Sequence, residues 1–227
     1  MSIVRVTGFT VSADGFGAGP RQDLTHPLGV RGQELMEWAF ATEAWRRQHG
    51  QTGGERGVDS AMAEQWLGSV GAWIMGRNMF GPIRGPWRGE EWRGWWGEEP
   101  PYHAPVFVLT HHARPPLAMK GGTEFRFVVD GIASALTQAQ EAAKGRDVGI
   151  AGGVATLQQY LRAQVVDEAH IALRPILLGA GERLWDGLDL SALGYECVAG
   201  LAGERAYHLI LRRRGSPAWA APRWWAT

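Results

Sequence analysis

Three times along the 227-residue chain a run of β-forming residues ends directly in groups that can hold an anion, and this recurrence constrains the fold more than any other feature. Ala72-Trp73-Ile74-Met75 runs into Gly76-Arg77-Asn78. Val106-Phe107-Val108-Leu109 runs into Thr110-His111-His112-Ala113-Arg114. Asp147 to Ala151 runs into Gly152-Gly153 and then a helical stretch from Val154 to Ala163. In open α/β sheets ligands bind at the carboxyl ends of the strands, so three such ends together predict one site along one sheet edge.

Each end has its own chemistry. Glycines at a helix start leave backbone N–H groups and the positive end of the helix dipole open to a phosphate, and Thr156 adds a hydroxyl. Gly-Gly connectors between strand and helix are also ordinary, so this turn alone is a weak signal. Arg77 offers a guanidinium fork. A hydroxyl and imidazoles at Thr110, His111 and His112 suit a ribose 2′-phosphate, which favours NADPH over NADH. The Gly-x-Gly-x-x-Gly fingerprint does not follow a strand here, and Gly179-Ala180-Gly181 lacks the Gly-Lys-Ser/Thr of nucleotide hydrolases.

Around these ends strands and helices alternate. Ile3 to Val11 reads as an opening strand stopped at Ser12-Ala13-Asp14-Gly15, followed by a loop from Gly15 to Gly32. Leu35, Trp38, Thr42 and Trp45 recur at helical spacing over 33–48. Asp59-Ser60 caps a second helix carrying Met62, Trp66 and Leu67. Residues 81–105, with Trp87, Trp92, Trp95 and Trp96, read as a long ordered loop, and loops of that length are usually functional. Phe125 to Val129 is a further strand and Ile132 to Lys144 a helix. Ala169 to Leu173 is a strand, and Tyr195–Ala199 with Arg205–Arg212 forms an antiparallel hairpin. The order predicts one α/β domain over 1–212, with a mixed central sheet flanked by helices, and a tail over 213–227.

Composition excludes several functions. Lys plus Arg and Asp plus Glu both number 23, so no global field attracts nucleic acid or an anionic membrane. One cysteine, Cys197, rules out an internal disulfide and a thiolate zinc site. His111-His112 offers too few ligands for a metal, and none is expected. The start of the chain lacks a signal peptide's basic and apolar regions, and no apolar run approaches the roughly 18 residues of a membrane span. A cytoplasmic protein is expected.

Taken in order, Thr10-Val11-Ser12-Ala13-Asp14-Gly15-Phe16, Met75-Gly76-Arg77-Asn78-Met79-Phe80, Val106 to Thr110, Gly152 to Leu157, Val165 to His170 and Pro175 to Trp185 resemble the dihydrofolate-reductase-like family, in particular the riboflavin-biosynthesis reductase domain. The resemblance spans about residues 2–212. It implies an NADPH-binding mixed sheet, often homodimeric, that transfers hydride to a small molecule. By that likeness Gly76, Arg77 and Asn78 hold the adenosine side and its phosphates. Thr110 and His111 lie by the 2′-phosphate, and Gly152, Gly153, Val154, Ala155 and Thr156 cradle the pyrophosphate. Asp14 and Gly15 border the nicotinamide. The chain departs from the family pattern in lacking a zinc deaminase signature and in carrying the tryptophan-rich segment and the long 17–32 loop, which put a riboflavin precursor in doubt as substrate.

Reduction of C=N or C=O needs a proton source as well as hydride. Asp14 is the first candidate for a polar or acid role; a turn-capping aspartate is an equal reading. Glu34 and Glu37, one helical turn apart, suit a solvated face, and His170, in an apolar strand, a satisfied core position. The tryptophans of 81–105 suit either a lid over a flat substrate or the packing of their own loop. The rival function is a non-catalytic ligand-binding or resistance protein on the same fold.

Overall fold

The computed structural model describes residues 2–65, 68, 70–83, 85–87, 89 and 92–217. Trp66 and Leu67 of the expected second helix, and Trp219, Trp224 and Trp225 of the tail, lie outside the described residues.

In chain order the elements begin with β1 (Val4–Ser12), β2 (Phe16–Ala18), a 3₁₀ turn (Gly32–Met36), α1 (Glu37–Phe40), α2 (Glu43–Gln48) and α3 (Val58–Glu64). There follow β3 (Val70–Gly76), α4 (Arg77–Phe80), β4 (Pro105–Leu109), β5 (Leu117–Ala118), β6 (Glu124–Val128) and α5 (Gly131–Ala143). The chain closes with β7 (Asp147–Gly152), α6 (Val154–Arg162), β8 (Glu168–Arg174), β9 (Glu182–Arg183), β10 (Tyr195–Ala202) and β11 (Tyr207–Arg213).

Among the described residues, nine strands form one mixed sheet ordered β10-β11-β8-β1-β7-β3-β4-β6-β5, and β2 pairs separately with β9. β8, β1, β7, β3, β4 and β6 run parallel, while β11 is antiparallel to β8, β10 to β11 and β5 to β6. A parallel sheet is covered on both faces, so its strands are continuously apolar. β3 shows this directly, since Val70 through Gly76 is buried at every position. Ile74 and Phe107 face α5 and α6 in one core with Ala135, Ala139, Leu157 and Tyr160. Their neighbours Met75, Val106 and Val108 face the tryptophan-rich segment on the other side. The period-two alternation of strand side chains thus feeds two layers from one run.

The sequence expectations over 15–64 need correcting. The helix expected over 33–48 is broken at Ala41–Thr42, where Glu43 N bonds to Glu55 O at 2.9 Å, Glu55 N to Ala41 O at 2.8 Å, and Thr42 Oγ1 caps a fresh start at Trp45 N at 3.1 Å. Asp59 does not cap α3. The carboxylate of Glu204 accepts from Val58 N and Asp59 N at 3.1 and 3.0 Å, which frees Asp59 to turn into the core. Part of the 15–32 loop is β2, paired with β9 through Phe16↔Arg183 and Ala18↔Glu182. No helix among the described residues is long and apolar enough to cross a membrane.

Candidate active site

The parallel register brings the three predicted strand ends to one side. Gly76 pairs with Leu109 and Met75 with Gly152, so the exits of β3, β4 and β7 lie next to one another. Between them opens a cleft of about 360 Å³ lined by Gly76, Arg77, Asn78, Thr110, His111, Gly153, Val154, Ala155 and Thr156. That volume is in the range of small-ligand sites. Nine of the twelve residues singled out from the sequence therefore share one cavity.

Three do not. Gly152 is absent from the lining: at φ +129° it turns the chain, and a Cβ there would meet the Phe9 ring at 3.0 Å. Asp14 and Gly15 line a separate depression of about 250 Å³ with Ala13, Arg183, Trp185 and Asp186. Gly15 sits at φ +86°, with the Trp185 ring 3.0 Å from where a Cβ would stand. The Asp14 carboxylate accepts from Ser12 Oγ at 2.5 Å, Gly179 N at 2.7 Å and Leu178 N at 3.1 Å. Burial pushes its pKa up, but the bonds from Ser12, Gly179 and Leu178 outweigh it and hold the carboxyl at about 2. A carboxylate so held has no proton to give near neutral pH, so its geometry is that of a turn anchor.

Within the cleft, the start of α6 carries no side-chain cap. Its first hydrogen bond runs from Leu157 N to Gly153 O at 3.0 Å, so the N–H groups of Val154, Ala155 and Thr156 precede the helical ladder. Gly153 has open space where a Cβ would project, whereas at Gly76 a Cβ would strike Thr156 Oγ1. Two strand ends thus approach as closely as glycine allows, beside backbone donors suited to a phosphate.

Arg77 supplies the charge. Its Nε and Nη2 are buried without a hydrogen-bond partner, and among the described residues no carboxylate pairs with it. Burial, and then the nearby Arg114 guanidinium, lower its pKa. A desolvated guanidinium beside another cation asks for an anion. Thr110 is 8% exposed and its Oγ1 accepts from His112 N at 3.1 Å, while His111 is exposed at the rim. These residues fit a dinucleotide phosphate on two counts, the orphaned donors of Arg77 and the uncapped start of α6. Among the lining residues that were not foreseen is Glu182 on β9, whose carboxylate lies 3.5 Å from Asn78 Nδ2. Only the β2–β9 pairing, which spans 164 or more positions, brings it there.

Trp92, Trp95 and Trp96 of the 81–105 segment are engaged in packing. Trp92 Nε1 donates to Phe80 O at 2.9 Å and Trp95 Nε1 to Met79 O at 3.0 Å, covering carbonyls at the end of α4. Trp96 stacks on Phe125 at 5.8 Å. Their indoles hold the segment to the sheet and do not form a lid over the cleft.

The model of the RibD C-terminal domain matches residues 6–208. The chain belongs to that family. Its members are reductases of the dihydrofolate-reductase-like type that use nicotinamide dinucleotides. Among solved structures, it is similar to a riboflavin biosynthesis protein of Shewanella sp. PV-4, with 19% identity and a TM-score of 0.54, covering 93% of this chain and 99% of that one. It is also similar to dihydrofolate reductase from Enterococcus faecalis in complex with NADP(H), with 11% identity, a TM-score of 0.50 and coverage of 93% and 96%. A third is the diaminohydroxyphosphoribosylaminopyrimidine deaminase/5-amino-6-(5-phosphoribosylamino)uracil reductase of Thermotoga maritima, with 11% identity, a TM-score of 0.52, and coverage of 93% of this chain and 57% of that one. At these identities the likeness is one of fold. No curated protein matches the chain. The RibD C-terminal fold, with its mixed sheet and antiparallel β10–β11 end, is the one expected from the motifs.

Proposed function

We propose that this RibD C-terminal domain binds NADPH in the β3–β4–β7 cleft and passes hydride to a small heterocyclic or carbonyl compound. The observation that carries the reading is the pair of anion-competent groups lining one cavity: the uncapped start of α6 and Arg77, whose Nε and Nη2 lack acceptors. Bound there, the nicotinamide supplies the hydride, and the protein supplies position and electrostatics. Val154, Ala155 and Thr156 donate backbone N–H groups to the pyrophosphate. Arg77, with Thr110 and His111 at the next strand end, receives the ribose 2′-phosphate. Asp14 fixes the turn after β1 by accepting from Leu178 and Gly179, which ties the β1 and β8 exits together. It acts as a positioning residue and not as the proton donor.

The test is a titration with NADPH and NADH, followed by energy transfer from tryptophan to the nicotinamide. NADPH is expected to bind more tightly than NADH. Arg77→Ala is expected to weaken NADPH by about ten- to a hundredfold, the worth of one charged hydrogen-bonded contact. Binding of neither dinucleotide would sink the reading. Binding without oxidation of NADPH against a panel of carbonyl and imine acceptors would favour a ligand-binding protein on the same fold.

A further inference from the structure

Trp87 belongs to the segment between α4 and β4, yet its indole stands at the cofactor cleft, clamped from three sides. Its Nε1 donates to His112 O at 2.8 Å. Its ring meets Phe127 edge-on at 5.2 Å and Phe80 at 6.0 Å, and Phe80 is fully buried. On this fixed ring lies Arg77, with the guanidinium carbon 3.7 Å from the ring centroid; that of Arg114 lies at 5.1 Å.

An arginine with two buried donors lacking acceptors would ordinarily extend its head into water. Arg77 has no carboxylate among the described residues to restrain it, and Arg114 repels it. Stacking on Trp87 is the attraction that keeps it in the cleft. The same indole holds the peptide of His112, which in turn bonds Thr110 Oγ1, so one side chain fixes the relation between the β3 exit and the β4 exit. Arg77 and the start of α6 both line the cleft, which makes two anion seats in one cavity.

We infer that Trp87 is a positioning residue: it presents Arg77 to a phosphate monoester, the group that distinguishes NADPH from NADH, and so sets cofactor preference from behind the cleft lining, which it touches through Arg77 and His112. This rests on the cofactor reading above. It assigns a task to one tryptophan of the 81–105 segment and leaves Trp92, Trp95 and Trp96 to packing.

The experiment compares Trp87→Leu and Trp87→Phe in the wild-type and Arg77→Ala backgrounds, measuring dissociation constants for NADPH and NADH. Trp87→Leu is expected to weaken NADPH about tenfold and leave NADH within about twofold. Trp87→Phe keeps a ring face but loses the bond to His112, so it retains most of the affinity, with a loss of about threefold. In the Arg77→Ala background neither substitution is expected to weaken NADPH further. Unchanged NADPH binding in Trp87→Leu overturns the inference, as does an equal loss for both dinucleotides or a loss additive with Arg77→Ala. Should Trp87→Leu fail to fold, the Phe variant decides alone by its NADPH-selective loss and by the disappearance of that loss without Arg77. Failure of the cofactor reading looks different: wild-type protein then binds neither dinucleotide.

Discussion

Beneath α1 and α3, the buried polar side chains of Thr10, Trp38, Asp59, His170 and His208 are closed on one another. At the β3 exit, two donors of Arg77 are left open. Trp38 Nε1 donates to Thr10 Oγ1 at 3.0 Å, and His170 Nε2 lies 2.9 Å from His208 Nδ1. His208 Nε2 lies 2.8 Å from Asp59 Oδ1, whose other oxygen accepts from Arg205 N at 2.8 Å. The two imidazoles and the Asp59 carboxylate thus form one continuous hydrogen-bonded chain. At the β3 exit, Arg77 keeps two buried donors unused beside a second guanidinium. Both regions break the rule that interiors are apolar, but only one does so at a cost. A closed polar chain specifies structure, while a buried donor that lacks an acceptor and belongs to a residue lining a cleft is a place where a ligand can supply one.

The sharpest way to break this contrast is to open the closed chain. Asp59→Ala leaves a buried imidazole N–H and the Arg205 N–H without an acceptor, at a site where Asp59 is 1% and His208 0% exposed. Each buried donor left without an acceptor costs about 1–3 kcal/mol. Urea unfolding should show that loss, while the folded fraction still binds NADPH as wild type does. A stability change under 1 kcal/mol would show that the chain is not closed as described.

The opposite sign is expected at the open end. Arg77→Met keeps an unbranched chain against Trp87 and removes a desolvated charge that sits beside Arg114. Its unfolding free energy should rise by about 1 kcal/mol, while NADPH affinity falls by at least about tenfold, the usual trade between stability and function at a site. A variant that loses stability and affinity together would place Arg77 with Asp59, as a structural group.

The same contrast explains what could be read from the sequence. The cleft was legible because each of its parts is local: a strand run followed within three residues by glycine, Arg77, Thr110 or the Gly153–Thr156 helix start. The closed chain was not, because its members are far apart. Asp59 before an amphipathic run has every sign of a helix cap, yet the cap is Glu204 and Asp59 bonds His208, 149 positions away. Glu182 reached the cleft through a three-residue and a two-residue strand, too short to carry a period. The break in the 33–48 helix lies in backbone bonds to Glu55, which no helical spacing reports. Aromatic composition marked residues 81–105 as special but left lid and packing as equal readings. Only the partners of each indole Nε1 decide between them.

The finest test uses two buried groups whose titrations oppose each other. Burial, and then His208, push the His170 pKa well below its ordinary value. The unfolded chain therefore binds a proton that the folded one refuses, and stability present above about pH 6.5 is lost as pH falls below it. Glu168, facing Arg5 on β1 and Arg212 on β11, behaves in reverse. Burial raises its pKa to about 7 despite Arg5 and Arg212, with Asp147 and Asp167 adding to the rise. Stability present below about pH 4.5 is then lost as pH climbs to about 7. Between about pH 5 and 6.5 the two slopes cancel, each worth at most about 1.4 kcal/mol per pH unit. Wild-type stability should therefore stay nearly level across that window. Glu168→Gln should make it rise with pH and His170→Gln should make it fall, as read from urea midpoints at half-unit steps. Parallel slopes in both variants would mean that neither group keeps the protonation state its surroundings impose, and burial would not be what sets them.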